Sequence, residues 1–183
     1  MKISQYFKRG AWVLLVGTLM ACEQKTTPEI KTSEADATSA EMLKELKTEG
    51  VRAFAQSPDD AHDIQVLTDY EDRFQMMSDE LENELTQLRD KGELDDAFVH
   101  QRQLDTTNSA LEMLKALPLK TEQGRYIQGL IYHYWDQQQK LLSNNAVEQA
   151  KSNEAKHAMQ GLGQYLQAQE QLEHWRTQNL KEK

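Results

Sequence analysis

The sequence predicts an all-α fold: an antiparallel helical bundle of four to five helices, with long, coiled-coil-like members. Three observations predict it. Apolar residues recur at helical steps through most of the chain beyond residue 39. Pro58 and Pro118 fall between those apolar patterns, where a helix can end without losing an internal hydrogen bond. No stretch alternates apolar and polar residues as a half-buried strand would, and no internal repeat of convincing period is present.

Thr38, with Glu41 three residues on, forms a capping box that should open a first helix. That helix carries Leu43, Leu46 and Phe54 and should end near Gln56, with Gly50 weakening its middle. Ser57-Pro58-Asp59-Asp60 is a strong second start. It offers a cap, a proline at the first helical position and acids at the positive end of the helix dipole.

The second helix should run from Pro58 to about Lys91. Leu67, Tyr70, Phe74, Met77, Leu81, Leu85 and Leu88 follow steps of three or four residues. At roughly 100° per residue they fill a stripe about 80° wide, closer to a coiled-coil seam than to a broad globular face. Gly92 should end it. Asp95 and Asp96 open a third helix with Phe98, Leu104, Leu111, Leu114 and Leu117, its stripe interrupted at His100, Gln101, Thr107 and Asn108. The short link at Gly92 makes these two an antiparallel hairpin.

Thr121 should cap a fourth helix carrying Tyr126, Ile127, Leu130, Ile131, Tyr134, Leu141 and Leu142. Asn145 with Glu148 can cap a fifth, reaching about Leu180, although the pattern also allows one long bent helix across both. The glutamines at 137–139 and between 164 and 171 read as a polar helix face.

The first 38 residues are of another kind. Lys2, Lys8 and Arg9 precede an apolar run from Ala11 to Met20, broken only by Gly17 and Thr18. At about ten residues the run is half of the roughly 20 needed to span a bilayer, and it has the flanks of an export signal. It ends in Leu19-Met20-Ala21-Cys22, and Cys22 is the single cysteine of the chain. This resembles the lipobox of bacterial lipoprotein precursors. The resemblance implies cleavage before Cys22, leaving residues 1–21 as a signal peptide, and acyl chains on Cys22. That covalent lipid is the only group the sequence calls for; no other cofactor is expected. Glu23 stands where aspartate commonly retains such proteins at the inner membrane, so the resemblance points to the outer membrane, on its periplasmic face.

Residues 22–38 then form the lipidated cysteine and a tether with Ile30 as its one large apolar side chain. Such a stretch cannot bury enough surface to offset its ordering entropy, and sixteen flexible residues reach roughly 20–25 Å. Residues 39–183 form the helical domain, held together by burial without a disulfide. Loss of the leader removes three basic residues and no acid, so the net charge goes from −9 to −12. An acidic surface of that kind repels nucleic acid.

Chemistry-bearing motifs are sparse. Glu154 and His157 have the Glu-x-x-His spacing of di-metal bundles, but a second such motif is missing from the sequence. They are weak metal candidates, and no catalytic residue is expected. No Gly-x-Ser-x-Gly or glycine-rich phosphate loop occurs, and His62, His100 and His174 are scattered. Tyr132-His133-Tyr134-Trp135 is the richest aromatic cluster. Consecutive aromatics cannot all face one core, so Tyr132, His133 and Trp135 are candidate partner-binding residues, with core packing or a small-molecule pocket as the other readings of the cluster.

The expectation is thus a membrane-anchored periplasmic lipoprotein, not an enzyme. It would act as a protein-binding adaptor or assembly factor for another envelope protein. An immunity or inhibitor lipoprotein that neutralises a basic toxin or hydrolase is the alternative. A metal-dependent helical-bundle enzyme would rest on Glu154 and His157 alone.

Overall fold

The computed structural model describes residues 43–143 and 159–181. These residues form an all-helical bundle with four long helices: α1 (Asp60–Lys91), α2 (Asp96–Lys115), α3 (Glu122–Ser143) and α4 (Leu162–Lys181). No strand occurs among the described residues.

Local chemistry sets most of the helix ends. Ahead of α1 the Ser57 N–H donates to the Asp60 carboxylate (3.1 Å) and the Asp59 N–H donates to Ser57 Oγ (3.3 Å), a reciprocal box around Pro58. Gly92 closes α1 in the left-handed conformation (φ 71°), its N–H returning to the last turn. Asp95 caps α2 by accepting from the Ala97 N–H at 3.1 Å. Thr121 caps α3 by accepting from the Gly124 N–H at 2.9 Å.

The helices alternate in direction. Arg102 on α2 donates to Glu84 on α1 (2.9 Å), closing the expected hairpin near its turn. Gln128 near the start of α3 reaches the Leu114 carbonyl near the end of α2 (2.8 Å). On α3 and α4, Tyr134 stacks near Tyr165 and Gln138 donates to the Gln160 carbonyl, so these helices are antiparallel and not one bent rod. Arg176 of α4 donates to Thr68 Oγ1 (2.7 Å) and Glu71 Oε2 (2.6 Å) of α1, closing the bundle. Burial lifts the Glu71 pKa above its ordinary 4.5, against the lowering pull of Arg176.

The core is Leu67, Tyr70, Leu114, Ile127, Ile131, Ala168, Leu172 and Trp175, contributed by all four helices. Every seam residue from Leu67 to Leu88 is buried or half-buried. The interruption in the α2 stripe is absorbed by hydrogen bonding. Buried Thr107 returns its hydroxyl to the Gln103 carbonyl (2.9 Å), and Asn108 accepts from Gln139 of α3.

A second fixing point joins α1 to the α2–α3 loop. Asp63, with no exposure, accepts from the N–H groups of Lys120 (3.0 Å) and Thr121 (2.7 Å) and from the Thr121 hydroxyl (2.7 Å). Gly124 lets this approach happen: a Cβ there would sit 2.5 Å from Asp63 Oδ2.

Two sequence expectations are corrected. The first helix expected up to Gln56 is reduced, in its described part, to one turn at residues 43–45; residues 47–57 are not helical. Gly50 lies at φ 81°, outside helical space, and partners elsewhere in the bundle satisfy the backbone groups nearby. In the described part of the fifth helix expected from Asn145, Gly161 (φ 77°) stands outside helical space, and α4 starts only at Leu162. Residues 1–42, 144–158 and 182–183 lie outside the described residues, and with them Cys22, the tether, Glu154 and His157.

Candidate functional site

Residues 47–54 form a strap along the groove between α3 and α4. It is held mainly through its main chain. Gln167 Oε1 accepts from the Glu49 N–H (2.6 Å), and Gln167 Nε2 donates to the Gly50 carbonyl. One helical turn on, Gln171 Oε1 accepts from the Arg52 N–H and its Nε2 donates to the Arg52 carbonyl, both at 2.8 Å. A primary amide presents a donor and an acceptor side by side, so it can pair with a peptide group as a neighbouring strand would. At a spacing of four residues, two such amides stand on one helix face about 6 Å apart, matching two successive turns to the strap.

Both glutamines are nearly inaccessible, 3% for Gln167 and 0% for Gln171. The glutamines between 164 and 171, read from the sequence as one polar helix face, thus divide: Gln164 and Gln169 are half-buried, while Gln167 and Gln171 are buried because the strap satisfies them. Each such bond contributes about 1 kcal/mol net, while an orphaned buried amide costs about 1–3 kcal/mol. The strap's own Lys47, Glu49, Val51 and Arg52 are exposed.

Three further contacts seat the strap. At its start the chain passes over α4 at Gly163, where a Cβ would lie 2.5 Å from the Glu45 carbonyl oxygen and 2.9 Å from that of Lys47. At its far end Phe54 packs on Tyr126 of α3, ring centroids 5.3 Å apart. The Arg52 guanidinium lies over both rings at 4.9 and 5.2 Å and 3.6 Å from Glu122. Gly163→Ala is therefore expected to unseat the strap at its beginning, at a cost of roughly 1–3 kcal/mol. Amide exchange would read this as faster exchange at Glu49 with the protection of α1 unchanged.

The aromatic cluster sits deeper. Trp135 packs on Phe74 of α1 (4.7 Å), Tyr134 (4.7 Å) and Tyr165 of α4 (6.3 Å). Its indole N–H is buried, and so is the Tyr70 hydroxyl beside it; neither closes a hydrogen bond of standard geometry. Burial raises the pKa of Tyr70, Tyr134 and Tyr165 above the ordinary 10, so all three stay neutral phenols.

The sequence-predicted partner residues are thus dispersed. Trp135 turns into the bundle, Tyr132 is half-buried against the core with Lys115 over its ring at 5.8 Å, and His133 is exposed and bonded to Gln137. His62 bonds to Asp63, and among the described residues no three His, Cys, Asp or Glu side chains converge as a metal site. A shallow cleft runs along the α1–α2 hairpin between Glu84, Leu88, Lys91, Glu93, Asp95 and Phe98. Among the described residues no helix is long and apolar enough to cross a membrane.

No protein-family model matches the chain, and no curated protein or solved structure is significantly similar to it. The residues that sequence reasoning missed are Gln167, Gln171, Gly163 and Asp63. A signal was present for the first two: a Gln pair at i and i+4, each directly preceding a core residue, Ala168 and Leu172.

Proposed function

We propose that this chain is a lipoprotein, anchored through acyl chains on Cys22 to the periplasmic face of the outer membrane. Its helical bundle binds another envelope protein and helps to place or assemble it, without catalysis and without a cofactor. The lipobox supports the anchor. The observation that carries the binding role is the pair of buried glutamines on α4, whose hydrogen-bonding capacity is spent on the main chain of a non-helical segment. A surface that grips main chain is suited to a polypeptide ligand, because backbone pairing supplies affinity whatever the side chains.

Two experiments test the reading. Cys22→Ser should move the protein from the membrane to the soluble fraction or leave it unprocessed. A variant still as tightly membrane-bound after leader removal removes the anchor from the proposal. Crosslinking in intact envelopes, followed by capture of the chain, should recover a defined envelope protein; repeated recovery of the chain uncrosslinked removes the adaptor role.

A further inference from the structure

We propose that the α3–α4 groove is a receptor for a non-helical segment of a partner protein, and that residues 47–54 are its resident occupant, displaced when the partner binds. That the partner belongs to the envelope rests on the adaptor reading above; the site itself rests on the strap's geometry.

Each amide of the clamp reads main chain. Gln167 and Gln171 take the N–H groups of Glu49 and Arg52 and the carbonyls of Gly50 and Arg52. The side chains of Lys47, Glu49, Val51 and Arg52 are exposed. An incoming chain with the same backbone path can therefore reproduce the clamp bonds with different exposed side chains. The remaining contacts state what that sequence needs. Gly50 is left-handed at φ 81°, which favours glycine. Phe54 stacks on Tyr126, and Arg52 covers both rings beside Glu122. The matching segment is glycine, a basic residue two positions on and an aromatic two beyond that. The net charge, −12 once the leader with Lys2, Lys8 and Arg9 is removed, favours a basic partner.

The resident strap is suited to leave. It buries few side chains, and its anchoring is a handful of hydrogen bonds, the profile of a segment that opens without global unfolding. The groove is not suited to stay empty, because departure strands two buried amides. Exchange of one backbone for another satisfies both conditions.

The test uses the full chain and a fluorescein-labelled peptide of the strap's own sequence, residues 45–56. Phe54→Ala weakens the resident strap outside the core. The peptide should bind this variant at least about tenfold more tightly than the wild type, and Gln171→Leu added to it should reverse the gain. A peptide with proline at the positions of Glu49 and Arg52 lacks the two clamped N–H groups and should not bind. No binding to a folded Phe54→Ala chain, or equal binding of the proline peptide, overturns the proposal.

Hydrogen exchange on the wild type gives an independent reading. The Glu49 and Arg52 amides should exchange at least about a hundredfold faster than those of Leu67 and Leu114. Equal rates would mean that the strap opens only with global unfolding, and would overturn displacement. Sedimentation should show a monomer; a dimer dissolved by the peptide would assign the groove to a second copy instead of a partner. None of these outcomes depends on envelope crosslinking, so the groove and the adaptor role fail separately.

Discussion

Asp63→Ala is expected to cost about 3–5 kcal/mol of unfolding free energy, because it strands the Thr121 N–H and hydroxyl and the Lys120 N–H at about 1–3 kcal/mol for each group kept from water. The carboxylate has no exposure and accepts from two backbone N–H groups, the Thr121 hydroxyl and His62 Nδ1 (2.9 Å). Its loss would orphan the Lys120 and Thr121 amides, loosen the cap of α3 and leave a hole beside Gly124. Urea unfolding measures the effect. Asp69→Ala, an exposed acid on the same helix, should stay within about 0.5 kcal/mol of the wild type.

The same carboxyl gives a pH dependence. Burial alone would raise its pKa; the hydrogen bonds from Thr121, His62 and Lys120 outweigh burial and hold it below the ordinary 3.8. The folded state thus binds this proton less readily than the unfolded chain. The stabilisation is fully present above the unfolded value and is lost as pH falls through the lower, folded one. The stability gap between wild type and Asp63→Asn should therefore be constant from neutral pH down to about 4 and narrow below 3.8. A gap that narrows instead as pH rises above 5 would show that another group controls it.

Trp135→Ala is expected to cost about 3–5 kcal/mol, because the indole fills the space between Phe74, Tyr134 and Tyr165. Thermal and urea melts read it directly. Trp135→Phe keeps most of the ring contact and removes a buried N–H without a partner, so its loss should stay below about 1.5 kcal/mol. If alanine costs less than about 0.5 kcal/mol, the indole is not core and returns as a partner contact. Within the tetrapeptide the exposed member is His133. Periodicity places four consecutive residues around a helix, but which one faces the core depends on where α1 and α4 lie.

Most of the fold was legible because its signals are local. Ser57 with Asp60, Gly92, Asp95 and Thr121 mark helix ends through groups at most five residues away. The seam from Leu67 to Leu88 is inward because 3.6-residue periodicity is a property of the helix itself. The strap was not legible for the complementary reason. The sequence leading into it offers a capping box at Thr38 and Glu41 and helical spacing, yet the partners of Glu49 and Arg52 are 118 and 119 positions away. Asp63 finds Lys120 and Thr121 at separations of 57 and 58.

By itself, then, the sequence determined the resemblance of residues 19–22 to a lipobox, the acidic balance, the all-helical class, the hairpin of α1 and α2 and the start of α3. The tertiary structure alone decided that residues 47–57 leave helical space, that two glutamines are buried, and that Trp135 turns inward. A backbone N–H or a side-chain amide takes whichever partner best offsets its desolvation. When that partner lies across the bundle, only the packed molecule supplies it.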